Sequence, residues 1–327
     1  MPTPNTFSSL GLRAELLGNL AEIDYREMTL VQAETLPRVL AGSDVLARAK
    51  TGSGKTAAFG LGVLNKLQTD AFRVQALVLC PTRELADQVA REIRRLARSL
   101  PNIKILTLCG GAPMGGQLAS LQHSPHIIVG TPGRVLKHLG KGTVDLANLQ
   151  TLVLDEADRM LDMGFSDELD AILTFVPAKR QTLLFSATYP EAIAAISDKV
   201  QRDAIIIDVT DDEQAAQITQ YWCEVTRENR CADLLGTIRE WGGTLNLVFC
   251  NTKIDCADVA VYLKANGIVG LALHGDLDQK QRNEVLVRFA NRSASVLIAT
   301  DVAARGLDVD DIDAVFNYEL PPQPEVY

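Results

Sequence analysis

The chain has 327 residues, enough for two domains of ordinary size, each with its own hydrophobic core. Its 47% hydrophobic content is typical of a globular protein, and no apolar run is long enough to span a membrane. The net charge of −9 argues against nucleic-acid binding through bulk electrostatics, so a polyanion would have to be held by local loops. Because the N-terminus has no apolar signal core, we expect a cytoplasmic protein.

Taken in chain order, residues 9–40 predict two helices, because apolar residues recur at helical spacing and Thr29 suits the N-cap of the second. Short apolar strands then alternate with helical patterns. In the pattern at 84–98, Leu85, Val89, Ile93 and Leu96 form one apolar stripe. The predicted strands are at 44–48, 76–80, 104–108, 126–129, 151–154 and 182–185. Continuous apolar strands alternating with helices predict a parallel sheet covered on both faces.

The periodic pattern stops at residues 208–217, where an acidic, polar run predicts a linker. The alternation then restarts, so we predict one α/β domain at 1–207 and a second at 218–327. In the second domain the predicted strands are at 221–225, 245–249, 269–273, 295–299 and 314–317, and the helices at 230–241, 252–266 and 278–290. Two such domains imply a cleft that opens and closes around a ligand.

A candidate phosphate loop follows the first predicted strand. Its residues are Ala49, Lys50, Thr51, Gly52, Ser53, Gly54, Lys55 and Thr56. The glycines allow backbone N–H groups to point inward, Lys55 can reach the β/γ-phosphates, and the Thr56 hydroxyl can bind Mg²⁺. A helix that begins at Lys55 would add the positive end of its dipole. Ala49 stands where the general pattern has glycine, and a plain glycine-rich turn is the alternative.

Two adjacent carboxylates, Asp155 and Glu156, come directly after the predicted strand at 151–154. The carboxyl ends of parallel strands are where such sheets bind ligands. Beside a phosphate loop, we expect Asp155 to hold the Mg²⁺ shell and Glu156 to position the attacking water. The alternative is a solvated strand end with no ligand.

The run Asp-Glu-Ala-Asp at 155–158, together with the phosphate loop and Ser-Ala-Thr at 186–188, resembles the DEAD-box family of ATP-dependent RNA helicases. The resemblance covers nearly the whole chain and implies two tandem RecA-like α/β domains that use ATP and Mg²⁺ and bind RNA. Stretches at 77–90, 155–167 and 182–197 resemble a bacterial branch of this family that acts on 23S ribosomal RNA during large-subunit assembly. In the family, Ser186 and Thr188 would couple the nucleotide state to RNA binding; a helix N-cap is the alternative.

The resemblance also assigns RNA contacts to short loops after the strands. In the first domain these are Pro81, Thr82, Arg83, Gly110, Gly111, Thr131, Pro132, Gly133 and Arg134, and in the second they are Asn251, Thr252, Gly275, Arg282 and Thr300. Such loops can present N–H groups and forked arginines to phosphate oxygens, which holds a backbone without reading bases. The alternative is that these glycines and prolines only mark turns.

Tyr25, Thr29 and Gln32 resemble the family's adenine-recognition motif, with Phe7 at the upstream aromatic position. A glutamine amide can exchange hydrogen bonds with the adenine edge, and Tyr25 can stack on the ring. Asp24, Met28 and Leu30 replace the glycine and prolines of the pattern, and a packed core aromatic is the alternative for Tyr25. Asp308 resembles the residue that reaches the ribose.

In the family, an arginine motif that supplies arginine fingers follows the segment that ends here at Tyr327. We therefore expect a truncated second domain, and residues 1–327 alone to bind ATP but hydrolyse it poorly. The overall prediction is a monomeric RNA helicase core. Two alternatives stay open: a nucleotide-gated RNA clamp that does not unwind, and a DNA helicase, since contacts to the 2′-hydroxyl are not visible in a sequence.

Overall fold

The computed structural model describes residues 6–50, 52–189, 191–209, 219–300 and 312–321. The chain forms two compact units, Met1–Gln217 and Ile218–Tyr327. Each unit alternates helices with parallel strands, so the predicted α/β class is confirmed. Among the described residues, no helix has the length and apolar character needed to cross a membrane.

The first unit begins with a short 3₁₀ turn at Phe7–Ser9 and then follows the predicted alternation. Its helices are α1 (Ala14–Glu22), α2 (Leu30–Ala41), α3 (Lys55–Lys66), α4 (Arg83–Leu96), α5 (Met114–Leu121), α6 (Pro132–Gly140), α7 (Ala157–Asp162), α8 (Ser166–Leu173) and α9 (Glu191–Val200). Its strands are β1 (Val45–Arg48), β2 (Ala76–Leu79), β3 (Ile105–Leu108), β4 (Ile127–Gly130), β5 (Thr151–Leu154), β6 (Gln181–Ser186) and β7 (Ile205–Asp208).

The seven strands pair in parallel in the order β3-β4-β2-β5-β6-β1-β7. Successive side chains point to opposite faces, and both faces are buried: Val45 and Ala47 join one hydrophobic cluster, whereas Leu46 joins the other. Because all strands run the same way, the loops after β2, β3, β4, β5 and β6 lie along one edge of the sheet. Most of the first unit's candidate site residues belong to this edge and to the loop after β1.

Helix α4 shows how the local pattern determines packing. Its apolar stripe is buried as predicted, and Leu96 and Ile93 pack against Gly60 of α3, where an added Cβ would lie 3.2 Å from Leu96 Cδ1. Thr82 caps the helix by accepting a hydrogen bond from the Leu85 backbone N–H. The N-terminus of α4 is therefore held at the edge that carries the predicted RNA contacts.

The described residues of the second unit form a four-stranded parallel sheet in the order β11-β8-β10-β9. Its helices are α10 (Arg230–Trp241), α11 (Lys253–Ala265) and α12 (Gln279–Ala290), and its strands are β8 (Asn246–Cys250), β9 (Gly270–Leu273), β10 (Val296–Thr300) and β11 (Ala314–Asn317). Hydrophobic clusters cover the two faces of this sheet as well: Val248 joins one and Leu247 the other.

Two strand assignments differ from the sequence prediction. The predicted strand at 221–225 is wrong, because this segment pairs with no strand among the described residues. Instead Trp222 is 85% exposed and the Tyr221 ring lies 4.4 Å from that of Trp241. Conversely, β7 was not predicted. It is an edge strand in which Ile206 is 62% exposed. Its residues are therefore not buried on both faces of the sheet, as those of an interior strand are.

Candidate functional site

The candidate phosphate loop joins β1 to α3, and the helix begins at Lys55 as predicted. Gly54 has a φ of +93°, and a Cβ at this position would lie 2.5 Å from Nε2 of Gln32. The Ser53 hydroxyl donates to the Lys50 carbonyl, and the buried Lys55 ammonium donates to the Ala49 carbonyl at 3.0 Å. In this conformation the Lys55 ammonium group is hydrogen-bonded to the backbone of its own loop.

The remaining loop residues differ in their accessibility. Lys50 and Gly52 are exposed, whereas Thr56, in the first turn of α3, is half-buried. Thr51 lies outside the described residues. The loop is anchored to the sheet because the Ala49 backbone N–H donates to the Ser186 carbonyl at the end of β6.

The predicted carboxylates follow β5, two strands away from β1. Asp155 is 2% exposed, and its Oδ1 atom has no hydrogen-bond partner among the described residues. Burial raises the pKa of Asp155 to about 6; the Lys55 charge opposes this shift and the Glu156 carboxylate adds to it. Glu156 occupies the N-cap of α7 with a φ of +52°, a left-handed conformation that is strained for glutamate.

A buried carboxylate oxygen without a hydrogen-bond partner suits a cation or a cation-bound water. The half-buried hydroxyl of Thr56 and the carboxylate of Asp155 are oxygen donors of the kind that Mg²⁺ prefers. The donor set therefore fits the predicted magnesium site.

Asp158 connects the carboxylate run to residues 186–188. Its Oδ2 atom accepts three hydrogen bonds, from the Ala187 N–H at 3.1 Å and from the N–H and hydroxyl of Thr188 at 3.0 Å each. Ser186 is buried, and its hydroxyl has no partner among the described residues. The Thr188 hydroxyl is thus bonded to Asp158, and α9 begins at Glu191. Sequence reasoning did not single out Asp158, although it belongs to the same four-residue run.

The predicted adenine-recognition residues make internal contacts. Thr29 and Gln32 form a capping box at the start of α2: the Thr29 hydroxyl accepts from the Gln32 N–H, and Gln32 Oε1 accepts from the Thr29 N–H at 3.0 Å. Gln32 Nε2 donates to the Gly54 carbonyl at 3.1 Å. The amide thus links α2 to the phosphate loop, and recognition of a base would require it to exchange partners.

Tyr25 is half-buried, and its hydroxyl donates to Glu92 Oε1 of α4 at 3.0 Å. The Arg95 guanidinium lies 5.2 Å from the centre of its ring, and the Phe7 ring lies 6.1 Å away. Burial, followed by the Glu92 charge, raises the pKa of Tyr25. Tyr25 therefore packs between the N-terminal segment and α4. This is the arrangement expected if Tyr25 is a packed core aromatic, the alternative to adenine recognition.

The three predicted RNA-contact loops of the first unit follow β2, β3 and β4, which are neighbours in the sheet. Pro81 and Thr82 lead into α4, and Thr131 is the N-cap of α6, which has Pro132 at its first position. Arg83 and Gly133 lie in the first turns of these two helices. The structure thus gathers all three loops at one edge of the sheet.

The loop after β3 is packed between arginines of the other two. Gly111 has a φ of +73°, and a Cβ there would lie 2.0 Å from Nη2 of Arg83, so the guanidinium rests on the glycine backbone. A Cβ added at Gly110 would lie 3.9 Å from the same Nη2 atom. On the other side, Arg134 Nη1 donates to the Ala112 carbonyl at 2.9 Å. The two arginines of the predicted contacts therefore flank one glycine-rich turn.

In the second unit, the predicted RNA contacts also lie at the carboxyl ends of strands. Asn251 follows β8 and donates to the Leu320 carbonyl, and Thr252 caps α11 by accepting from the Asp255 N–H. Gly275 lies after β9, and Thr300 ends β10. Arg282 is in the first turn and a half of α12. Asp308, the predicted ribose contact, lies outside the described residues.

Sequence reasoning missed an ion pair between two of these loops. Lys253, directly after Thr252, donates to both carboxylate oxygens of Asp276 at 3.0 and 2.8 Å. No local spacing pattern predicts this pair, because the two residues follow different strands. Gln117 of α5, which hydrogen-bonds two of the first unit's loops, was missed for the same reason.

Comparison with protein families gives two matches that together cover most of the chain. Residues 29–196 match the DEAD/DEAH box helicase family, and residues 227–327 match the helicase conserved C-terminal domain.

Among curated proteins, the chain is 58% identical to the ATP-dependent RNA helicase DbpA of Escherichia coli K12, over 98% of this chain and 70% of that protein. It is 40% identical to the DEAD-box ATP-dependent RNA helicase CshA of Geobacillus kaustophilus, over 98% of this chain and 69% of the relative. The chain therefore spans about 70% of the length of these two relatives.

Two solved structures resemble the fold. Saccharomyces cerevisiae Dbp5 bound to RNA and ADP BeF₃ has a TM-score of 0.87 at 29% identity, covering 98% of this chain and 82% of that one. A DEAD box protein from Methanococcus jannaschii has a TM-score of 0.61 at 38% identity, covering 98% and 87%. With both domain matches, the curated relatives and these two folds in agreement, the chain belongs to the DEAD-box family of ATP-dependent RNA helicases.

Proposed function

We propose that the first unit, residues 1–207 of the predicted division, binds ATP at the loop between β1 and α3 and uses the carboxylates after β5 for hydrolysis. The observation that carries this assignment is Asp155, whose Oδ1 atom is buried and has no hydrogen-bond partner among the described residues, and whose pKa is lowered by the Lys55 charge against the larger effect of burial. Lys55 would release the Ala49 carbonyl and bind the β/γ-phosphates.

Thr56 and Asp155 would hold Mg²⁺, which when bound would offset the negative charge of the phosphates. Glu156, fixed at the N-cap of α7, would orient the attacking water. Asp158 would couple this centre to the segment 186–188 through its three hydrogen bonds, one from Ala187 and two from Thr188.

Substitution of Lys55 and of Glu156 should separate nucleotide binding from hydrolysis. Lys55→Ala removes the cation that faces the phosphates, so we expect the Kd for ATP to rise at least about tenfold. Glu156→Gln keeps the shape of the side chain and should leave ATP and RNA bound while turnover falls by about 10² or more. Equilibrium binding of a fluorescent ATP analogue and single-turnover hydrolysis measure the two effects. Hydrolysis by Glu156→Gln at the parent rate would show that another residue positions the water.

We further propose that the loops after β2, β3 and β4 and those after β8, β9 and β10 bind the RNA backbone. In the first unit, Arg83 and Arg134 flank the turn at Gly110 and Gly111, an arrangement that offers guanidinium and backbone N–H donors on one edge. Such contacts read the sugar-phosphate backbone rather than base identity, so single-stranded RNAs of different sequence should bind with similar affinity.

A ribosomal RNA target, in large-subunit assembly, is the third part of the proposal. It is supported by the stretches at 77–90, 155–167 and 182–197 that resemble the branch acting on 23S ribosomal RNA. We also propose that the protein acts as a cytoplasmic monomer. Crosslinking in cells, followed by sequencing of the bound RNA, tests the target: large-subunit ribosomal RNA should be enriched over small-subunit RNA. Equal recovery of the two would contradict this part alone.

A further inference from the structure

Gln117, in the middle of α5, is a buried polar residue between two of the proposed RNA-contact loops. Its side chain is 7% exposed. Nε2 donates to the Cys109 carbonyl at 3.0 Å, directly before the Gly110–Gly111 turn. Oε1 accepts from Arg134 Nη1 at 2.7 Å and from His138 Nε2 at 3.0 Å, both on α6. One amide thus joins the loop after β3 to the helix after β4.

The chemistry of the neighbours allows only one orientation of this amide. A reversed amide would place its NH₂ group against the Arg134 guanidinium and its oxygen against the Cys109 carbonyl. Because Oε1 only accepts, His138 Nε2 must carry a proton and donate. Nδ1 of the same ring lies 2.9 Å from the Thr143 hydroxyl. Burial lowers the pKa of His138, and the Arg134 charge adds to this effect, so the neutral ring with its proton on Nε2 is favoured.

The network determines which edge of Arg134 is available. Both hydrogen bonds described for its guanidinium, to Gln117 and to the Ala112 carbonyl, come from Nη1. The Nε–Nη2 edge makes no hydrogen bond to the described residues, and this is a pair of parallel donors that matches two oxygens of one phosphate. Without Gln117, the Ala112 carbonyl would be the one hydrogen-bond partner left to Arg134 among the described residues, and the guanidinium could rotate about that contact.

We propose that Gln117 is a positioning residue for RNA binding, which holds the Gly110–Gly111 turn and the Arg134 guanidinium in one fixed arrangement toward the phosphate backbone. Gln117 is too buried to contact RNA itself and acts through these two groups. The inference rests on the proposed RNA-binding role of the loops after β3 and β4.

The test is Gln117→Met, which keeps the length of the side chain and removes all three hydrogen bonds. Binding of a fluorescent single-stranded RNA is measured by anisotropy with a non-hydrolysable ATP analogue at saturation. We expect the Kd for RNA to rise about fivefold to tenfold, the loss of one to two net hydrogen bonds. The affinity for the ATP analogue should not change. Gln122→Met, the same substitution at the exposed C-cap of α5, is the matched control and should bind RNA like the parent.

A double-mutant cycle with Arg134→Ala separates positioning from simple destabilisation. Because part of the effect of Gln117 passes through Arg134 and part through the turn, the double variant should bind RNA more tightly than the sum of the two single effects predicts. Fully additive effects of the two substitutions on RNA affinity would overturn the inference. So would a Gln117→Met sample in which fewer molecules bind RNA but those that bind have the Kd of the parent. If Gln117→Met is not recovered folded, Gln117→Asn, which keeps a buried amide but is one methylene shorter, replaces it in the same cycle. An Arg134→Ala variant that binds RNA like the parent would instead overturn the proposed role of the loop.

Discussion

At the scale of single residues, Asp155 has a pKa that its surroundings raise well above the ordinary value of a carboxyl group. It is fully buried, and burial, opposed by Lys55 and reinforced by Glu156, raises its pKa to about 6. A carboxyl whose pKa is raised on folding favours the protonated form in the folded state. Its contribution to stability is therefore fully present below pH 4 and is lost as the pH rises through about 6.

Asp155→Asn should remove this pH-dependent cost. Measured without nucleotide or Mg²⁺, the free energy of unfolding of the variant relative to the parent should rise between pH 4 and pH 7, by up to about 3 kcal/mol. Chemical denaturation at several pH values measures the difference. Asp167→Asn, at an exposed position on α8, is the control. If the free energies of unfolding of Asp155→Asn and of the parent differ by the same amount at every pH, the pKa of Asp155 is not raised by burial.

At the scale of secondary-structure elements, the start of α2 connects helix capping to the phosphate loop. Gln32 completes the capping box with Thr29 and also donates to the Gly54 carbonyl. The same amide is the predicted reader of the adenine edge. A second capping box, formed by Asp278 and Gln281, begins α12 in the other unit and offers a comparison outside the proposed nucleotide site.

Gln32→Ala should lower the free energy of unfolding by about 1 kcal/mol through the lost cap and also reduce the preference for ATP over GTP. Competition of ATP and GTP against a fluorescent nucleotide measures the preference, which should be strong in the parent protein. Gln281→Ala removes a cap of the same type and should leave the preference unchanged. Equal competition by GTP and ATP in the parent would remove the adenine-recognition role and leave Gln32 a structural residue.

At the scale of the whole molecule, each unit has its own sheet with a hydrophobic cluster on each face. The first unit's sheet extends into the segment predicted as a linker. In β7, Ile207 is buried and Asp208 forms an ion pair with Arg48; Val209 is also buried, and its N–H donates to the Arg48 carbonyl. The edge of the first sheet is therefore completed by residues after 204.

A polypeptide of residues 1–209 should fold by itself and bind an ATP analogue. A polypeptide of residues 1–204 lacks β7 and exposes the edge of β1, so its free energy of unfolding should be lower by about 3–5 kcal/mol, mainly from the lost burial of Ile207 and Val209. Thermal unfolding followed by circular dichroism compares the two. Equal melting temperatures would show that β7 contributes little to the first unit.

Local patterns were sufficient for much of the fold. Three predictions agree with the structure: the apolar stripe of α4, the strand before the candidate phosphate loop and the helix start at Lys55. A buried face makes apolar residues recur at a regular spacing, and this spacing is visible in a stretch of about ten to fifteen residues. The strand predicted at 221–225 was wrong because apolar and aromatic residues in sequence do not show whether a neighbouring strand exists to pair with them.

The amino-acid sequence by itself determined the α/β class and the family, and it predicted the candidate phosphate loop and the carboxylate run, since each depends on residue types at fixed short spacings. Only the tertiary structure decided which loops meet. The bond from Thr188 to Asp158, the packing of Arg83 on Gly111 and the bridging by Gln117 depend on the order of strands in the sheet. That order is set by how helices pack on the two faces and by the crossovers between strands, which involve residues far apart in the chain.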